Sequence, residues 1–202
     1  MTFDSSPALD YSVPERAGTV AEREFDYDLL VRPVEGRMMR TVWRIVRHRE
    51  AAEDALQEAL AVVWKKRDAV ARHPKPEALI IRIAVTAAID VLRRDRRRLR
   101  YEAPGLADDR VGDTATTTAQ EVENRDLRAA VLEAVGRLPR RQATAVLLHA
   151  IEEQPCADVA RAMGCSESTV RVHLMRGRAA LARNLALRAR ALPGGDGKGG
   201  RS

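Results

Sequence analysis

Apolar residues return at steps of three and four along most of the chain, the spacing of one helical face. Ala52, Ala55, Leu56, Ala59, Leu60 and Val63 form one such stripe and predict a helix from Ala51 to about Val70. Ile80, Ile83, Ala84, Ala87, Ala88 and Val91 form a second and predict a helix over about 77–98. An earlier helical pattern starts near Glu24 and carries Met38, Val42, Ile45 and Val46, with Pro33 and Gly36 placed to break or bend it. Leu127, Val131, Leu132 and Val135 face inward in a further helix over 122–135, and Val146, Leu147 and Ile151 in the next. Strand formers never alternate over a useful length. The fold class expected is therefore all-α.

The tightest local pattern lies between Pro155 and Leu181. Val159, Ala160 and Met163 share one helical face, and Val170, Leu174 and Leu181 share another. Pro155 suits a first turn, because the amide it lacks has no partner there. Gly164 stands where the chain must leave the first helix in a left-handed conformation. Ser166 can cap the second helix by accepting from the Ser168 or Thr169 amide. Together these predict a helix-turn-helix. From Arg161 to Arg190 there are seven arginines against the single acid Glu167, so the second helix is basic and suited to the major groove of DNA.

Charge divides the chain. Residues 1–28 hold seven acids and two arginines, a balance of −5, and residues 101–126 hold the same. Between them, Arg93–Arg100 has six arginines and one Asp, a balance of +5. Basic charge gathered in two places, not spread evenly, is the footprint of a nucleic-acid partner. Five segments are expected: a disordered leader over 1–23, a helical domain over 24–100, a flexible acidic linker over 101–121, the helix-turn-helix domain over 122–190, and a Gly-rich tail over 191–202. Such a linker leaves the two domains free to act on separate DNA elements. Cys156 and Cys165 fit no metal spacing, and no acid pairs with His48, His73, His149 or His173 in a catalytic motif. Neither an enzyme, a cofactor nor a metal is expected. No apolar run nears the ~18 residues of a membrane span, and the acidic N-terminus lacks a signal peptide's apolar core, so a cytoplasmic protein is expected.

Two runs carry a family resemblance. AEDALQEALAVVWKKRD (Ala52–Asp68) is similar to the polymerase-binding segment of bacterial sigma factors. LRAAVLEAVGRLPRRQATAVLLHAIEEQPCADVARAMGCSESTVRVHLMRGRAAL (Leu127–Leu181) resembles their promoter-recognition domain. Two domains with a short linker match the plan of the extracytoplasmic-function (ECF) sigma factors of the sigma-70 superfamily. That resemblance implies a factor that binds core RNA polymerase and directs promoter-specific initiation, with promoter DNA and an anti-sigma factor as partners. Asp54, Gln57 and Glu58 match positions that grip the β′ clamp helices, and Leu138–Arg141 the surface near the β flap. Lys75, Arg82, Thr86, Arg93, Arg94, Arg96 and Arg97 match the element that captures the unwound −10 strand. Ser168, Thr169, Arg171, Val172, His173, Met175, Arg176 and Arg178 match the −35 reader. Departures fall on base choice and melting: Leu79-Ile80 stands where many members have Trp-Leu, Thr86 where many have Asn, and Val172 replaces a common hydroxyl. Lys75 is also flanked by Pro on both sides. The alternative is a helix-turn-helix regulator that binds DNA without polymerase. A dimer seam on its N-terminal domain would need an apolar face where Asp54, Gln57 and Glu58 are polar.

Overall fold

The structure, a computed structural model, describes residues 25–101 and 119–191. The leader over 1–23, the linker between Tyr101 and Ala119 and the tail beyond Ala191 lie outside the described residues. Within them the chain is helical and contains no strand. The helices are α1 (Tyr27–Leu30), α2 (Arg32–Val46), α3 (Arg49–Lys65), α4 (Arg67–Ala71), α5 (Pro76–Tyr101), α6 (Ala119–Gly136), α7 (Arg140–Ala150), α8 (Cys156–Met163) and α9 (Glu167–Ala191).

Local chemistry sets most of these boundaries. Pro33 does not break a helix. It sits in the first turn of α2, and the break falls before it, at Val31. Asp26 caps α1 by accepting from the Leu29 amide at 3.1 Å. The helix expected over 51–70 is two, because the chain leaves α3 at Lys66 and restarts as α4. α2 ends on Arg47 in the left-handed region, φ 59°, a conformation uncommon for a residue with a side chain.

α2, α3 and α5 pack as one bundle around Met38, Val42, Ile45, Ala55, Ala59, Val63, Ile80, Ile83, Ala84 and Ala87. The expected stripes of α3 and α5 are thus core. α5 goes further than its stripe. Ile81, Val85 and Ile89 lie off it and are fully buried as well, and from Ala78 to Ile89 only Arg82 escapes burial. A helix apolar all round needs cover on every side. The C-terminal domain supplies it: α6, α7 and α8 all pack against α5.

The two domains thus pack together, and the second one covers part of the α5 face opposite the stripe, where Arg82 donates to the Ala162 carbonyl. Thr86, on that face, is 3% exposed. In the C-terminal domain, Val135 is buried but Leu127 is 58% exposed, so α6 turns Ala130 and Ala134 inward in its place.

Candidate nucleic-acid interface

The helix-turn-helix forms as its residue types require. Pro155 precedes α8, Gly164 closes it in the left-handed region at φ 63°, and the Cys165 amide returns to the Ala160 carbonyl at 3.0 Å. Ser166 Oγ then accepts from the Thr169 amide at 3.2 Å and lies 2.8 Å from the hydroxyls of Ser168 and Thr169. Val159, Ala160, Met163, Val170 and Leu174 seal the seam between α8 and α9, and Leu181 packs partly buried against the same core. The outer face of α9 carries Ser168, Arg171, Val172, Met175, Arg176 and Arg178, all exposed. Met175 is 63% exposed with no core to fill, which marks a contact surface and not a packing position. Arg171 is paired with Glu167 at 2.8 Å, an exposed bond that costs little to exchange for a base. Thr169 and His173 are half-buried at its edge. Burial, aided by Arg141 and Arg176, pushes the His173 imidazole below its ordinary pKa, which favours its neutral form.

Gly177 was not legible as a site residue, yet α9 depends on it. A Cβ there would lie 2.8 Å from Val146 Cγ2, so the glycine lets α7 and α9 close together. Its signal is a lone glycine inside an otherwise strong helical pattern.

The residues matched to −10 capture lie on the other domain, and three of them, Lys75, Arg82 and Arg93, bond to the C-terminal one. Lys75 Nζ donates to both Asp158 oxygens at 2.8 Å. Arg82 donates to the Ala162 carbonyl at 2.9 Å, and His73 Nε2–H to that of Arg161 at 3.2 Å. Both carbonyls end α8, where the helix dipole is negative and bare acceptors need donors. The Thr86 hydroxyl donates to the Arg82 carbonyl within α5, at 2.8 Å. Arg93 donates to the Leu138 carbonyl at 2.6 Å, and Arg140 is paired with Asp90. Burial raises the Asp90 carboxyl above its ordinary value despite Arg140 beside it. Arg96 is half-buried and Arg97 exposed.

A second clasp holds the α7–α8 loop to α2. Glu152, its side chain 4% exposed, accepts from Arg37 Nε at 2.8 Å and from Thr41 Oγ1 at 2.6 Å. Glu153 beside it adopts φ 52°. Nothing local predicts this clasp, since its partners are 111 and 115 residues away.

The residues matched to polymerase binding are the most open. Asp54, Gln57 and Glu58 are exposed along α3, opposite its buried stripe. Glu58 accepts from Arg94 at 2.8 and 2.9 Å, so the polymerase set and the −10 set meet there. Close by on α3, Trp64 is 58% exposed, edge-on to Phe25 at 5.9 Å with Arg67 over its ring. Among the described residues no group of His, Cys, Asp and Glu could hold a metal, and no helix is long and apolar enough to cross a membrane.

Residues 30–98 match the family described as Sigma-70 region 2, and residues 128–181 match Sigma-70, region 4. The chain is 32% identical over 169 residues to the ECF RNA polymerase sigma factor SigM of Mycobacterium tuberculosis, an alignment spanning 84% of this chain and 82% of that one. The chain belongs to the ECF sigma factors. It is also 31% identical over 145 residues to the "Probable RNA polymerase sigma factor RfaY" of Xanthomonas campestris, across 70% of this chain and 36% of that protein. Among solved structures it is similar to the sigma factor RpoE, crystallised with the anti-sigma factor NepR from Bartonella quintana. That match has TM-score 0.49 and 18% identity, covering 80% of this chain and 98% of that one. Region 2 thus takes in α2 to most of α5, and region 4 runs from the second half of α6 past the middle of α9.

Proposed function

We propose that this sigma factor, a non-catalytic factor acting in the cytoplasm, joins core RNA polymerase through α3 and reads two promoter elements with separate domains. Asp54, Gln57 and Glu58 are offered to the β′ clamp helices, and the α6–α7 junction from Leu138 to Arg141 to the β flap. α9 enters the −35 major groove with Arg171, Val172, Met175 and Arg176, flanked by Ser168, Thr169, His173 and Arg178. Lys75, Arg82, Thr86, Arg93, Arg94, Arg96 and Arg97 take the unwound −10 strand. An anti-sigma factor that restrains it belongs to the same reading.

The observation that carries the proposal is the outer face of α9, where two exposed apolar side chains lie between arginines with no packing task. Arg supplies paired donors to guanine, and the apolar side chains suit a thymine methyl. The two DNA surfaces differ in access. The −35 face is open, whereas Lys75, Arg82, Thr86 and Arg93 lie against or under the C-terminal domain. The described arrangement is therefore a closed one, ready for polymerase and −35 DNA but not for the −10 strand. Capture of that strand requires the domains to part. Run-off transcription from the gene's own upstream region, with core polymerase and with or without this chain, tests the reading. Specific transcripts are expected only with the chain present. Tight promoter binding by the chain alone, without stimulation of polymerase, would favour a regulator.

A further inference from the structure

Where the two domains meet there is a cavity of about 330 Å³. Five guanidinium groups line it, Arg93, Arg96 and Arg97 from α5 with Arg137 and Arg140 from the α6–α7 side, against one carboxylate, Asp90. With Glu133, which pairs with Arg137, the five guanidinium groups meet two carboxylates, an excess of three positive charges. Arg140 is engaged with Asp90 and Arg137 with Glu133, while Arg93 has a neutral partner, the Leu138 carbonyl. The crowding has an electrostatic cost. Burial lowers the Arg93 pKa below its ordinary value, and Arg140, Arg97 and Arg96 all push in the same direction. α7 also begins here, with no acid in its first turn and no side chain capping its amides. Each of these features favours a multiply charged anion. Converging guanidinium forks match phosphate oxygens, and a helix start adds partial positive charge.

We propose that this cavity binds a compact polyphosphate, a free condensed phosphate or the phosphate chain of a nucleotide, and that the bound anion locks the closed arrangement. The volume lies at the lower end of the ~300–1,000 Å³ of small-ligand sites, enough for a phosphate chain. The walls come from both domains, so the site is complete only when they are docked. A ligand that bridges them binds the closed form better and shifts the population toward it. A compact anion can reach the half-buried Arg93 and Arg140 between the walls as well as the exposed Arg97 and Arg137. A DNA strand meets only the exposed pair while the domains stay docked, which is why the small anion is the better occupant. Binding does not depend on how −10 DNA is recognised. Only its consequence, slower capture of that strand, rests on the function proposed above.

The test uses the full chain at low ionic strength. Tripolyphosphate and ATP without divalent metal are titrated in parallel by calorimetry, with sulfate at matched ionic strength as control. Saturable binding of tripolyphosphate and closer interdomain distances by energy transfer are expected, with sulfate having little effect. If ATP binds like tripolyphosphate, the site reads phosphate alone; if it binds more tightly, the nucleotide is the preferred source. The double variant Arg97→Gln/Arg137→Gln changes two exposed residues and should weaken binding at least about tenfold. Glu152→Ala, remote from the cavity, should also weaken it by loosening closure. No saturable binding, affinity untouched by the double variant, or an anion that drives the domains apart would each overturn the proposal. So would displacement by a non-promoter single-stranded oligonucleotide that opens the chain, which would assign the arginines to DNA. Lost −10 capture beside intact tripolyphosphate binding would count only against the promoter assignment.

Discussion

Single atoms decide whether the C-terminal domain closes. In an exposed helix Gly→Ala is stabilising, by about 1 kcal/mol. At Gly177 the sign should reverse, because the added methyl meets Val146 at 2.8 Å and must push α7 away. Gly177→Ala is expected to destabilise by about 1–3 kcal/mol, read from urea unfolding; a gain in stability would show that the α7–α9 contact yields freely. Val170→Asp should be worse, since it places an unpaired charge at a position with no exposure. The opposite holds on α3. Asp54→Lys/Glu58→Lys alters exposed side chains, so thermal unfolding should move little, on the order of 0.5 kcal/mol, while core-polymerase binding is lost. Retained binding would remove this face from the polymerase contact. Much at this scale was readable in advance. Gly164 and Ser166 announce a turn and a cap because their roles depend only on neighbours. Glu152 could not be read, because an acid in a loop looks solvated until Arg37 and Thr41 are brought to it from another domain.

At the scale of an element, α9 and α5 are opposites. α9 has one buried side and one open side, and its sequence says so. Arg171 and Arg176, five residues and about 7.5 Å apart along the axis, can address different base pairs in one passage of the groove. Arg171→Ala or Arg176→Ala should each relax preference at one or two −35 positions by roughly 1–3 kcal/mol of discrimination. Selection from randomised −35 sequences measures this directly, and an unchanged preference in both variants would move base reading to Met175 or His173. For α5 the periodicity finds the stripe that packs on α2 and α3. Ile81, Val85 and Ile89 lie off that stripe, beside Arg82 and Thr86, and are fully buried as well. α6, α7 and α8 also pack on this helix, and no pattern within α5 separates a face turned to one domain from a face turned to the other.

At the scale of the whole molecule, the polar bonds between domains form a latch that includes the buried Glu152 carboxylate. Glu152→Ala removes the buried acceptor shared by Arg37 and Thr41 and should shift the chain toward open forms, seen as an increased radius of gyration in X-ray scattering. Affinity for a single-stranded −10 oligonucleotide should rise with it, because apparent affinity scales with the fraction competent to bind. A larger radius without tighter binding would mean that closure does not limit capture. Such coupling is invisible in the sequence for a plain reason. Domain docking joins Lys75 to Asp158 across 83 residues and Arg82 to Ala162 across 80, and composition carries no information about pairings of that kind.

The all-round apolar character of α5 also bears on how long the factor survives. When the domains separate, α5 loses the cover that α6, α7 and α8 give it, and the uncovered surface meets water unless polymerase or DNA replaces what left. An open chain without a partner is therefore prone to self-association and to proteolysis, while the closed chain and the engaged chain are both protected. Turnover of the factor would then follow the supply of free polymerase, so that the amount in the cell is set by how much can be used.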